Sequence, residues 1–172
     1  MQPAIGEIVV HPHHGPTTVV GILERTFRGE AHQYLQLEVL GSGMAVSVPL
    51  AKAEEIGLRP LYDAAGVAAL LAVLGSPSDQ VQEAWTRRFK ENQERMRSQD
   101  HLVQAEVVRD LTRRSVERGL STGEKEQLWL ATQPLLTELA LALGVPRERA
   151  QEVVDAAILD GQSSPQELSV PS

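Results

Sequence analysis

Residues 34–49 read Tyr34-Leu35-Gln36-Leu37-Glu38-Val39-Leu40-Gly41-Ser42-Gly43-Met44-Ala45-Val46-Ser47-Val48-Pro49. Leu35, Leu37 and Val39 alternate with Gln36, Glu38 and Leu40, while Met44, Val46 and Val48 alternate with small residues. A period of two sends alternate side chains to opposite faces of a sheet, so one face is apolar and buried. Gly41-Ser42-Gly43 is hairpin-turn chemistry between the two runs. Upstream, Thr17 to Arg28 is rich in β-branched residues and Gly29 permits a tight turn. Glu7 to Val10 is a shorter run, closed by the turn His11-Pro12-His13-His14-Gly15-Pro16. Four or five short antiparallel strands within residues 1–61 predict a small SH3-like or Tudor-like β-barrel, which hides its own edges.

The period changes at Tyr62. Val67, Leu70, Leu71 and Leu74 have helical spacing, and Gly75-Ser76-Pro77-Ser78 ends that segment. A second helix is predicted over 80–97 and a third over 101–118, the latter striped by Leu102, Ala105, Val108, Leu111 and Ser115. Gly119 suits the position just past its end. Ser121-Thr122-Gly123-Glu124 has the form of a capping box opening a fourth helix that runs to about Leu143. Leu128, Ala131, Leu135 and Leu139 stripe that helix, and Pro134 predicts a kink or break near Leu130. A fifth helix begins near Pro146 and includes Ala150, Val153, Val154 and Ile158. The expectation is a compact all-helical domain of about five helices over 62–160, followed by a disordered tail at 161–172.

Composition narrows the function. Of the 172 residues 42% are hydrophobic and 23% charged, an ordinary globular balance, but only 3% are aromatic. Each of the two tryptophans therefore needs a reason. The absence of cysteine removes disulfides, zinc–thiolate sites and thiol nucleophiles. Neither a signal peptide nor a membrane span is visible, so a cytoplasmic protein away from the membrane is expected. Net charge is −7 but uneven: residues 1–61 carry 6 acids and 4 bases, 62–118 carry 9 and 9, and 119–172 carry 8 and 3. So acidic a chain binds nucleic acid poorly unless a local basic patch supplies phosphate contacts.

His11, His13 and His14 are the one histidine cluster, but Pro12 and the tight turn oppose convergence, so they read as a polar turn and no metal site. G-x-S-x-G, Walker A and G-x-G-x-x-G are all missing, and His101 with Asp100 or Asp110 reads as helix surface. No enzymatic activity and no cofactor are expected. Residues 85–97 differ, holding five bases against two acids in an acidic protein. On a helix Phe89 and Met96 share a buried side with Gln93 at its margin, and Arg88, Lys90 and Arg95 fall largely elsewhere. Spacing leaves Trp85 two roles: a core anchor, or an exposed wedge beside phosphate-binding bases. Arg109, Arg113 and Arg114 read as surface charge, and Trp129 and Leu130 as either core or an exposed sticky patch.

Several motifs fall in a specific order. They are Gly6-Glu7-Ile8-Val9-Val10 with His13-His14-Gly15, Glu24-Arg25-Thr26 through Gly29-Glu30 to Tyr34-Leu35, Val48-Pro49, and Glu55-Ile56-Gly57-Leu58-Arg59. Trp85 to Asn92, Ala105 to Arg114, Gly119 to Lys125 and Glu138 to Ala142 follow. On these residues the chain resembles the CarD/CdnL family of bacterial RNA-polymerase-binding transcription regulators, from about Gly6 to Leu159. The resemblance implies a Tudor-like domain (residues 1–61) that docks on the RNA polymerase β subunit. It also implies a helical domain that contacts promoter DNA at the upstream edge of the transcription bubble. Separately, a monomer is expected. The resemblance assigns Arg25 to the polymerase-binding face and places Ser47 where relatives often carry a base. It makes Trp85 the family's tryptophan wedge, and Arg87, Arg88 and Lys90 are then expected to bind DNA by supplying phosphate contacts around it. His11 stands where an aromatic is usual. Glu126, Leu130, Thr132 and Pro134 stand where relatives tend to be basic or helix-forming. The alternative is a protein–protein adaptor that does not bind DNA, with Trp85 in its core.

Overall fold

The alternating run at 34–49 forms the β3–β4 hairpin of a five-stranded antiparallel sheet, ordered β4-β3-β2-β1-β5. The computed structural model describes residues 1–78 and 84–161. Its strands are β1 (Ile8–His11), β2 (Gly15–Phe27), β3 (Glu30–Val39), β4 (Ala45–Pro49) and β5 (Arg59–Pro60). Leu35 and Leu37 lie across from Val48 and Val46 in register, and with Val9, Val19, Ala53 and Leu58 they make an aliphatic core. The β2–β3 turn is Arg28-Gly29, with φ of 52° and 82°. Two successive positive φ values match the twist of the flanking strands, which explains a glycine at its second position. Between β4 and β5 lie a 3₁₀ turn (Leu50–Lys52) and a one-turn helix, α1 (Ala53–Ile56), ended by Gly57 at φ 99°. Sequence periodicity did not separate these from loop.

The chain divides into two compact units, residues 1–61 and a second starting at Tyr62. The second contains α2 (Ala64–Gly75), α3 (Trp85–Met96), α4 (His101–Glu117), α5 (Thr122–Leu143) and α6 (Arg147–Asp160). Asp63 caps α2 by accepting from the Gly66 N–H at 2.8 Å. Helix α4 packs against α2, α3, α5 and α6 and buries Ala105, Val107, Val108 and Leu111.

Three details depart from the sequence expectations. Ala84 is extended at the start of α3, so the helix begins at Trp85; residues 79–83, covering most of the earlier predicted start, lie outside the described residues. Helix α5 runs through Pro134 as one helix, so of the kink or break expected near Leu130 the break does not occur. The lost backbone bond is outweighed by packing of Leu136, Leu139, Ala142 and Leu143, all buried, while Arg147 donates to Gln133 and Thr137 on either side of the proline. Arg109 and Arg113 are not surface charge. Arg109 donates to Val73 O and Ser76 Oγ, and Arg113 to Leu74 O, Ser76 O and Ile158 O. A helix end leaves carbonyls without intrahelical partners and carries partial negative charge, and guanidinium groups satisfy both needs at the end of α2. The tail expected from 161 onward lies, from 162, outside the described residues.

Candidate functional site

Trp85 is the first residue of α3 and its side chain remains 47% exposed. An indole with that much surface is not a core anchor. Its ring stacks on Phe89, with centroids 5.3 Å apart and planes 25° from parallel. The pair sits one turn apart on the helix, the spacing at which side chains meet. The indole Nε1–H donates to Ser121 Oγ at 2.9 Å. Phe89 in turn rests on Gly123, where an added Cβ would lie 2.9 Å from the ring. Glycine is therefore required there by close approach, not by backbone conformation.

Ser121 opens α5 as a complete capping box. Its Oγ accepts from the Glu124 N–H at 3.2 Å, and its own N–H donates to Glu124 Oε2 at 3.0 Å. Glu124 Oε1 accepts from Arg88 Nε at 2.8 Å. Burial opposes ionisation of Glu124, but the Ser121 N–H and the Arg88 guanidinium together outweigh it and hold the carboxyl below its ordinary value. Arg95 is likewise inward, donating to Asp110 Oδ2 at 3.0 Å and to Glu106.

These bonds divide the basic set expected from sequence. Arg87 and Lys90 are exposed, with Arg87 3.8 Å from Glu91. Arg88 is 7% exposed and committed to Glu124. The expectation that Arg88 faces away from the buried side is corrected, and with it the expectation that it stands ready for a phosphate. The buried side of α3 carries Arg88 and Asn92, because the partner surface offers a carboxylate. Phe89 is only half-buried.

On the sheet, register fixes which residues share a face. Leu35 and Leu37 point to the core, so Tyr34 and Gln36 lie on the opposite face together with Leu23, Arg25 and Ser47. Arg25 is exposed, its guanidinium 5.5 Å from the Tyr34 ring centroid. Ser47 is exposed too, and its Oγ accepts from Gln36 Nε2 at 2.7 Å. Arg25 and Ser47 thus share a face but do not touch: one strand, β3, and four register steps lie between them. Exposed Leu23 and Phe27 share that face of β2, whereas exposed Ile22, paired with Leu35, lies on the other.

Among the described residues no group of His, Asp and Glu side chains is arranged to hold a metal ion. His11 is buried at the end of β1 and its Nδ1 accepts from the His13 N–H. His101 packs against Tyr62, Asp100 caps α4 and Asp110 bonds Arg95 and Arg109. Trp129 and Leu130 are exposed at 61% and 49%, which resolves them as surface. Among the described residues no single helix is long and apolar enough to cross a membrane.

Comparison with known proteins agrees with this two-part layout. The model of the CarD-like/TRCF RID domain matches residues 4–62, and that of the CarD C-terminal domain matches residues 69–155. YdeB of Bacillus subtilis (strain 168), which is named as a candidate transcription factor, is 29% identical over 145 residues, covering 84% of this chain and 95% of its own length. A Tudor-like sheet followed by helices, matched in order by both domain models over most of the chain, makes this protein a member of the CarD/CdnL family of transcription regulators.

Proposed function

We propose that the N-terminal unit docks on the RNA polymerase β subunit and that Trp85 then acts as a wedge on promoter DNA at the upstream edge of the bubble, stabilising the open complex. The observation that carries this is the Trp85 indole: exposed, yet held by Ser121 and Phe89, with Arg87 and Lys90 exposed on the same helix. The match to a polymerase-interacting domain model over 4–62 supports the docking half, and the shared face of Arg25 and Ser47 offers it a surface.

A net charge of −7 makes free DNA a poor ligand. Tethering to polymerase removes that difficulty, because a linked partner is presented at an effective concentration on the order of millimolar. Inserting an aromatic ring at a base step costs about a few kcal/mol of unstacking. The cost is lowest where the duplex is already opening, so a wedge at the bubble edge favours the open state over the closed one. Only such differential affinity shifts an equilibrium, and about 1.4 kcal/mol changes the ratio roughly tenfold. Sequence selectivity is expected to be low, since an indole and phosphate-directed bases read little of the base edges. The adaptor alternative needs Trp85 in the core and is disfavoured by its exposure.

The test is the lifetime of heparin-challenged open complexes formed by RNA polymerase with wild-type protein or Trp85→Ala. The variant is expected to bind polymerase as well as wild type and to lose most of the lifetime extension. Truncating a core tryptophan costs about 3–5 kcal/mol, whereas this half-exposed one should cost far less. Trp85→Ala protein that remains folded, polymerase-bound and fully able to extend the lifetime would remove the wedge.

A further inference from the structure

We propose that Ser121 is the positioning residue of the Trp85 indole, so that the start of α5 dictates how the ring of α3 is presented. This rests on the reading of Trp85 as a DNA wedge and names what sets its geometry. A first-turn residue at an exposed helix end has nothing in its own helix to fix its ring edge-on. Here one oxygen fixes it. Ser121 Oγ takes the indole N–H at 2.9 Å and the Glu124 N–H at 3.2 Å, so it cannot follow the ring without giving up the α5 cap.

The constraint closes on itself. Glu124 Oε2 accepts from the Ser121 N–H, and Glu124 Oε1 accepts from Arg88, three residues along the same helix as Trp85. Indole, hydroxyl, carboxylate and guanidinium therefore link α3 to α5 at two points one turn apart. Phe89, seated on Gly123, supports the ring from its face. This arrangement has a consequence for insertion. A ring slid into a base step loses water around its N–H, and an unpaired buried donor is costly. With the N–H already given to Ser121, the face of the ring not covered by Phe89 can stack on a base while the polar edge keeps its partner. The ring's rotamer is also ordered beforehand, which lowers the cost of binding.

Ser121→Gly separates this role from capping. Glycine at this position weakens a cap much less than alanine does, and the Glu124 bond to the residue 121 N–H uses backbone and survives. What disappears is the acceptor for the indole. The measurements use full-length Trp129→Phe protein, in which Trp85 is the remaining one of two tryptophans, with thermal unfolding as the control for folding. Time-resolved anisotropy of Trp85 is expected to gain a fast depolarising component in Ser121→Gly. The extension of open-complex lifetime on polymerase is expected to fall roughly two- to tenfold. Ser121→Thr, which keeps the hydroxyl, should restore both; Ser121→Ala, with a weaker cap, should match Ser121→Gly in anisotropy. Unchanged anisotropy in folded Ser121→Gly overturns the assignment. So does a mobile ring with an undiminished lifetime effect while Trp85→Ala still abolishes it. If Trp85→Ala itself has no effect on lifetime, the wedge reading fails, and the anisotropy comparison still decides whether Ser121 holds the ring.

Discussion

Arg88 donates through Nε to Glu124 Oε1 at 2.8 Å, and both side chains are shielded from solvent, at 7% and 1% exposed. Removing Arg88 takes the nearest cation from a buried carboxylate and leaves it the Ser121 N–H and the Arg114 guanidinium at 3.8 Å. Arg88→Ala is expected to destabilise the helical unit by about 1–3 kcal/mol, visible as a drop in urea midpoint. Arg88→Lys recovers part of this at most, because an ammonium cannot reproduce the Nε and Nη contacts. An Arg88→Ala protein as stable as wild type would contradict the buried pair.

The same pair makes stability depend on acid. Glu124 has a folded-state pKa below its unfolded value, so its contribution is complete above the ordinary carboxylate range and is lost as pH falls through the folded value. Glu124→Gln should therefore be less stable than wild type at neutral pH, with the gap narrowing toward low pH. Unfolding free energies across that acid range test it; a constant gap would show that Glu124 does not titrate with folding.

How far the sequence discloses this arrangement depends on the range of each interaction. The capping box at Ser121 and Glu124 is legible because its partners are three residues apart and their types are diagnostic. The sheet is legible because Leu35, Leu37, Val46 and Val48 alternate without exception. The inward side of α3 is not legible: apolar periodicity points to Phe89 and Met96, whereas Arg88 and Asn92 are buried. A pattern count assigns arginine to water unless the partner carboxylate, 36 positions away, is known. The stripe read on α5 is fully buried at Leu139 and half-buried at Leu128, Ala131 and Leu135, but it misses that the buried side also carries Glu124, Gln127, Thr132 and Glu138. Exposure of Trp85 came from the family resemblance, while its bond to Ser121 needed the fold.

His11 gives the N-terminal unit its own pH response. Burial first, then the neighbouring His14 and His13, lower its pKa from 6.5 to about 4. A base whose neutral form is favoured by folding contributes fully above its unfolded pKa; that contribution declines as pH falls from 6.5 and is gone below about 4. His11→Phe, an aromatic of similar outline with no proton to gain, should flatten the stability profile across this window. Chemical denaturation of both proteins at pH 7.5 and pH 5 reads the difference; parallel losses would clear His11 of the role.

Arg25 lies on the same sheet face as Tyr34, Gln36 and Ser47 and is exposed. Reversing its charge should leave the core untouched, with stability within about 0.5 kcal/mol of wild type. Under the docking proposal, Arg25→Glu loses most of its affinity for the isolated β-subunit lobe, while Ser47→Lys gains affinity by adding a base on that face. A pull-down with purified lobe measures both. Arg25→Glu retained as well as wild type would take Arg25 out of the contact.

Arg87 and Lys90 provide the sharpest separation of DNA contact from fold. Both are exposed on α3, and the Arg87 partner Glu91, at 3.8 Å with 71% and 44% of the two side chains exposed, makes a surface pair. Such pairs contribute about 0–1 kcal/mol and are screened by salt, so Arg87→Ala and Lys90→Ala should unfold close to wild type. If each base neutralises one phosphate, each substitution should reduce the slope of log affinity against log salt by about one. The assay is open-complex half-life on polymerase across a potassium chloride series, because tethering supplies the DNA affinity that the acidic chain lacks. The two single variants should converge with wild type at high salt, where counterion release no longer favours the contact. Trp85→Ala should instead shift the whole line with little change of slope, since an indole displaces no counterion. Unchanged slopes for both Arg87→Ala and Lys90→Ala would leave the wedge without its phosphate anchors.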